Sequence, residues 1–234
     1  RWVKKYINLF SGLKKIVIIE AINHHEKFVQ KNKRNLKYSV THGDPNDYNI
    51  VVKNHKIVGL IDFGDSIYAP SINDLAIALA YALMKSQNLF DTLHNIISSY
   101  NKINPIRDDE IYSLLGLVKS RLAITLVMAA KQRKKYPDNK YLSISEKNAW
   151  DLIFKLNKID PYFFIAVIRN ICNHEPISNF SQRLKLLKSQ QFGNIFDFDL
   201  NEVNKKIVQF DKKSTLLQSN PSNTKLNKLV EKFL

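Results

Sequence analysis

Apolar positions along this chain switch between two periods. In residues 4–33 they fall at Tyr6, Ile7, Phe10, Leu13, Ile16, Val17, Ile19, Ile22 and Phe28, a helical spacing, and Ser11-Gly12 is placed to divide that helix in two. At residues 36–40 the pattern shortens to that of a strand. Ile50-Val51-Val52 and Ile57-Val58-Gly59-Leu60-Ile61 are two more strand-like runs, separated by the polar turn Lys53-Asn54-His55, and together they predict a β-hairpin. From Ser71 onward the helical period returns. Residues 75–84 are apolar nearly all round, as a buried helix would be. Residues 90–100 make another, with Ser71 or Asn73 available to cap the first of the two. A long helix is expected from Asp108-Asp109-Glu110 to about Lys135. Ser143-Ile144-Ser145-Glu146 reads as a capping box opening the next helix, with Trp150, Ile153 and Phe154 toward the core. Pro161 starts a last one that runs through Ile171. The fold class that follows is α+β, mostly helical, with one small β-hairpin.

After Asn173 the character changes. Glu175-Pro176 breaks the helix, and Ser, Asn, Gln and Lys become frequent. Short apolar runs such as Ile207-Val208-Gln209-Phe210 stand among polar residues, and residues 214–224 resemble a linker. We therefore divide the chain into one globular domain, residues 1–174, and a linker-like tail, residues 175–234, which leads into a further domain or docks loosely.

Composition narrows the function. The 234 residues are 44% hydrophobic, enough for a medium domain with a substantial core. The single Cys172 rules out an internal disulfide and suits a reducing compartment, here taken as cytoplasmic. No signal peptide is visible, and the most apolar stretch, residues 111–130, is broken by Lys119, Ser120 and Arg121, which argues against a membrane span. The formal net charge of +15 raises a nucleic-acid partner. Lys is spread along the whole chain, however, and no nucleic-acid motif or zinc-ligand cluster accompanies it. A diffuse solvated surface is the better reading. His24 and His25 are adjacent and cannot share a helix face, so they are read as surface residues rather than metal ligands.

The chemistry concentrates between Val40 and Asp65. His42-Gly43-Asp44-Pro45-Asn46-Asp47-Tyr48-Asn49 is followed, a hairpin's length later, by Asp62-Phe63-Gly64-Asp65. Asp, Asn and Gly are ordinary turn residues, but H-x-D-x-x-x-x-N followed in order by D-F-G is the arrangement of kinase-like phosphoryl-transfer loops. Such transfer needs a hydroxyl oriented in line with the phosphate, and phosphate charge neutralised. Asp44 would orient the hydroxyl and accept its proton. Asn49 and Asp62 would hold magnesium, a hard cation that keeps several waters and so needs few protein oxygens. His42 would fix the loop through its ring, and Pro45 would stiffen it. Asp47 is a supporting residue or a plain loop aspartate. Asp65 adjoins the metal ligands and could touch metal or an amine of the substrate. Asp74 is placed in the first turn of a helix as a brace. Arg121 interrupts an apolar face, and a structural salt bridge is favoured for it over a substrate contact.

These motifs resemble the aminoglycoside phosphotransferase superfamily, which includes choline, homoserine and hydroxylysine kinases. The phrases Asn46-Asp47-Tyr48-Asn49-Ile50, Gly59-Leu60-Ile61-Asp62-Phe63-Gly64-Asp65 and Asp74-Leu75-Ala76-Ile77-Ala78 look most like its hydroxylysine-kinase branch, some members of which are fused to class-III aminotransferases. The resemblance implies a protein-kinase-like fold of which this chain supplies the C-terminal lobe. It also implies transfer of the γ-phosphoryl group of ATP or GTP, with Mg2+, to an alcohol group on a small amine or amino acid. No glycine-rich phosphate loop and no strand lysine precede His42. The N-terminal nucleotide-clamping lobe is accordingly expected to be missing from this sequence, and the chain alone to be weakly active or inactive. Two other readings stay open: a catalytically inactive kinase-like regulatory module of a larger fused enzyme, and a basic nucleic-acid-associated domain.

Overall fold

A computed structural model describes residues 2–136, 144–177 and 179–182. It is α+β and mostly helical. The backbone divides into two compact units, Arg1–Lys158 and Ile159–Leu234.

The first unit opens with a 3-10 helix, Val3–Leu9, that ends at the extended Phe10. Helix α1 (Gly12–His24) follows and runs into a π-helical turn, His25–Gln30. The predicted division at Ser11-Gly12 is therefore present, and a second change of winding at His25 was not foreseen. The neighbouring histidines turn inward rather than outward. His24 stacks on Phe28 at 4.5 Å, and His25 Nδ1 is 2.8 Å from Ser120 Oγ. The two rings stand where α1 gives way to the π turn, and each meets a different neighbour, so adjacency did not put either of them in solvent.

Four short strands come next: β1 (Tyr38–Thr41), β2 (Ile50–Lys53), β3 (Lys56–Leu60) and β4 (Ile67–Pro70). β2 and β3 are the expected hairpin. Asn54 and His55 both take positive φ, +49° and +59°, as a two-residue turn matched to the strand twist requires. β4 was not expected. It pairs antiparallel with β1, Thr41 opposite Ile67 and Tyr38 opposite Pro70, and a Pro-terminated strand of this kind leaves little periodicity to read. The outer β1–β4 pair and the inner β2–β3 pair together decide where the site lies. The segment joining β1 to β2 and the segment joining β3 to β4 must meet between them.

Helices α2 (Ile72–Met84), α3 (Leu89–Ile103), α4 (Asp108–Lys135) and α5 (Ile144–Asn157) build the core. α4 is its axis and packs against α1, α2, α5 and the π-helical turn. Ile111, Leu114, Leu115, Val118, Leu122 and Leu126 are buried along it. Its ends follow simple electrostatics. Asp108, Asp109 and Glu110 lie in the first turn and Arg133, Lys134 and Lys135 in the last, each complementing the helix dipole. Glu110 Oε2 also reaches back to accept from the Arg107 backbone N–H at 2.9 Å. By length and composition α4 could cross a membrane. However, 61% of its most apolar window is buried inside the protein, as in a core helix.

The box expected at residues 143–146 falls partly outside the described residues. Glu146 itself is buried and accepts from Arg133 and from Trp150 Nε1. In the second unit, Asp160 caps helix α6 (Pro161–Ile171), its Oδ1 accepting from Tyr162 N–H at 2.9 Å and Phe163 N–H at 3.0 Å. Apart from residues 175–177 and 179–182, the tail lies outside the described residues.

Candidate active site

The loop after β1 is pinned from several sides. Asp74, in the first turn of α2, accepts from two successive backbone N–H groups, His42 to Oδ2 at 2.8 Å and Gly43 to Oδ1 at 3.0 Å. The expected brace is thus a specific one, a carboxylate reading two amides of the loop. His42 is buried and bonded at both ring nitrogens. Nε2 lies 2.9 Å from the carbonyl oxygen of Ile61, and Nδ1 accepts from the Asp44 N–H at 3.3 Å. A carbonyl can only accept and an N–H can only donate, which assigns the ring proton to Nε2. The imidazole also lies against Phe63, ring centres 4.9 Å apart.

Asn46 organises the rest of the loop. Its Oδ1 accepts from Tyr48 N–H at 2.8 Å and Asn49 N–H at 3.2 Å, capping the 3-10 turn Asp47–Asn49. Its Nδ2 donates to Asp44 Oδ2 at 2.8 Å. Asn49 is buried, and its Nδ2 donates to the Asp44 carbonyl oxygen at 2.8 Å. That bond identifies the amide end of Asn49 and leaves its carbonyl oxygen as a donor atom for a ligand.

The β3–β4 segment is fastened to this loop at Ile61, whose N–H donates to the Asn49 carbonyl oxygen at 3.0 Å and whose own carbonyl takes the His42 bond. Asp62 follows immediately, exposed and in the left-handed conformation at φ +66° and ψ +61°. That conformation is costly for a residue with a side chain, and such residues gather at functional sites. Gly43 has φ +86°, and an added Cβ would lie 2.3 Å from the carbonyl oxygen of Asp65. The two segments are therefore in backbone contact.

The residues predicted for the site divide into three groups. His42, Asp44 and Asn49 form one bonded cluster, and Asp62 is held beside it through Ile61 and Phe63. Asp65 contributes backbone proximity, while its side chain is exposed. Asp47 points elsewhere, paired with Lys85 at the end of α2, and that hydrogen bond raises the Lys85 pKa.

Two participants were given no such role from the sequence. Asn46 had a local signal, a cap residue opening a short turn. Arg121 was expected in a salt bridge, and its partner is Asp44 itself. Nη2 donates to Asp44 Oδ1 and, at 2.7 Å, to the Tyr81 hydroxyl, with the guanidinium 5.3 Å from the Tyr81 ring centre. Nothing local could have signalled a partner on a different element.

The structure thus brings together a loop carboxylate held at both oxygens, a buried Asn and, fastened beside them through Ile61, a D-F-G turn. Residues 8–93 match the phosphotransferase enzyme family, and the chain is similar to several hydroxylysine kinases. It is 31% identical over 159 residues to the hydroxylysine kinase of Mus musculus, covering 63% of this chain and 42% of that protein. It is 30% identical over 145 residues to the hydroxylysine kinase of Xenopus laevis, covering 57% and 39%. Similarity to the hydroxylysine kinase of Danio rerio is 28% over 153 residues, covering 62% and 43%. The chain thus spans about two fifths of the length of the curated relatives it matches. No solved structure matches it.

Proposed function

We propose that this chain is the catalytic-loop half of a small-molecule kinase that transfers the γ-phosphoryl group of ATP or GTP to a hydroxyl on an amine or amino acid. Hydroxylysine is the acceptor suggested by the names of its relatives. The observation that carries the reading is the double fastening of Ile61 to His42 and Asn49, because it sets the D-F-G turn beside the loop of Asp44.

In this reading Asp44 receives the acceptor hydroxyl. Arg121 and Asn46 hold its two carboxylate oxygens, so the plane of the group is fixed before the acceptor arrives. A positioned carboxylate is what a loose phosphoryl-transfer transition state calls for, since alignment of the attacking oxygen outweighs covalent help. The donor set fits magnesium. Asn49 offers a carbonyl oxygen, Asp62 offers a solvent-facing carboxylate, and a hard cation with few protein ligands keeps its shell full with water and phosphate oxygens. Among the described residues no cluster of three His, Cys, Asp or Glu competes for a metal. When bound with the nucleotide, the cation would neutralise phosphate charge.

Exposed apolar side chains surround the same region, among them Val52, Ile57, Val58, Phe63, Ile67 and Tyr68. We place the nucleotide-covering lobe of the intact protein against part of this exposed apolar surface.

The test is Asp44→Asn in the full-length gene product. Turnover should fall to background, with the unfolding midpoint and magnesium-dependent nucleotide binding retained. Retained turnover would remove Asp44 from the chemistry. A wild-type protein that binds no magnesium nucleotide would make this chain an inactive relative.

A further inference from the structure

Arg121 is only partly used by the protein around it. It projects from α4 beside the buried Leu122, and one of its nitrogens, Nη2, serves both Asp44 and Tyr81. Among the described residues, Nη1 and Nε meet no acceptor, and Nε is buried. An arginine kept only to neutralise a carboxylate commonly meets it fork to fork, with two parallel bonds. Here Asp44 gives Oδ1 to Arg121 and turns Oδ2 to Asn46. The second half of the guanidinium is left unspent: Nε is sealed beneath protein atoms, and Nη1, not buried, is the donor left for an acceptor that arrives from outside. The side chains of the pair are 21% and 23% exposed, so both reach solvent where an acceptor would bind.

The remaining charges describe that acceptor further. Asp65 is exposed and forms no ion pair among the described residues, whereas Asp47 is occupied by Lys85 and Asp62 is assigned to the cation. One free carboxylate and one half-used guanidinium suit a ligand that carries an amine and a carboxylate together. We propose that Arg121 binds the carboxylate of the acceptor, so that the site selects hydroxylated amino acids over hydroxylated amines of the same skeleton. This rests on the kinase reading for the place of the acceptor hydroxyl at Asp44.

The experiment compares hydroxylysine with its decarboxylated analogue on the full-length gene product. Calorimetry reads binding, and turnover is followed with magnesium ATP and magnesium GTP. Wild type, Arg121→Lys and Arg121→Gln are each measured with both compounds. The wild type should bind hydroxylysine about tenfold to a hundredfold more tightly than the analogue, the worth of a charge-assisted hydrogen bond. Arg121→Gln should bring the two affinities together by weakening hydroxylysine alone, and Arg121→Lys should fall between. The quantity is a ratio within one protein, so partial loss of folded material cannot imitate it. A wild-type preference that survives in Arg121→Gln, or a kcat loss equal for both compounds with their KM ratio unchanged, would overturn the proposal and leave Arg121 as a positioning residue for Asp44. Arg121-dependent preference in binding without any turnover would uphold it and refute the kinase reading. Turnover of both compounds without preference would do the reverse.

Discussion

Gly43→Ala tests the close approach of the two site segments, and its cost can be worked from two terms. The first is conformational. At φ +86° an L-residue with a Cβ pays about 1–2 kcal/mol relative to glycine. The second is steric. The new Cβ would stand 2.3 Å from the Asp65 carbonyl oxygen, where an ordinary carbon–oxygen approach is about 3.3 Å or more. The obstructing atom belongs to the backbone, so no side chain can swing clear. The loop must retreat by about 1 Å, and that retreat strains the His42 and Gly43 bonds to Asp74. A hydrogen bond to a charged group is worth about 1.5–3 kcal/mol. Losing one brings the total to about 2.5–5 kcal/mol, a large share of a typical domain's stability.

Gly12 supplies the control. It too has positive φ, +52°, but a Cβ there would meet nothing within 4 Å. Gly12→Ala should cost only the conformational term, about 1–2 kcal/mol. Urea unfolding of both variants, followed by circular dichroism and by tryptophan fluorescence, gives the difference directly. Gly43→Ala should be the less stable by about 1.5–3 kcal/mol, the steric term alone. Equal losses in the two variants, or a Gly43→Ala protein as stable as the wild type, would show that the loop and the D-F-G turn do not press together.

Two further outcomes follow from single side chains. Burial first, and then the charge of Lys119, push the half-buried His24 imidazole down to about 4 from its ordinary value near 6.5. The folded state therefore binds fewer protons there than the unfolded state. Stability is full above about pH 6.5 and drains as pH falls toward 4, by about 1–3 kcal/mol after allowance for the exposed part of the ring. His24→Gln should flatten the midpoint-versus-pH curve over that window, and an unchanged slope would exclude His24 as its source. Asp74→Asn removes the charge that reads the His42 and Gly43 amides and can present an N–H to one of them. It should cost about 1.5–3 kcal/mol, with faster hydrogen exchange at those two loop amides ahead of the amides of β1; uniform acceleration would mean that the loop has no separate brace.

What could be read from the sequence depended on how local its cause was. The limits of α4 were legible because charge of opposite sign marks each end of an apolar run, and the β2–β3 hairpin because Asn54-His55 interrupts two strand-like runs. The candidates His42, Asp44, Asn49 and Asp62 were legible as spacing. The fastening of the β3–β4 segment to the loop of Asp44 goes with β4, which among the described residues pairs with β1, and pairing across that distance leaves no period in the chain. The inward placing of His24 and His25 likewise depends on partners distant in sequence or contributed by packing, Ser120 for His25 among them, which adjacent positions do not announce. Asp47 and Asp65 show the limit from the other side. Both share the composition of the site, yet one pairs with Lys85 and the other offers the loop only its backbone.

Arg121 shows why a residue's type can be right and its role still hidden. An arginine on an apolar helix face must find an anion, and that much follows from desolvation. Which anion it finds is decided by packing of α4 against α2, since Tyr81 on α2 receives the same Nη2 that holds Asp44. The helical core and the loop chemistry are thus one construction. α2 braces the loop backbone through Asp74 and helps seat the guanidinium through Tyr81, while α4 delivers the guanidinium to the carboxylate. A change in the α2–α4 interface would therefore displace Asp44 without touching the loop that carries it.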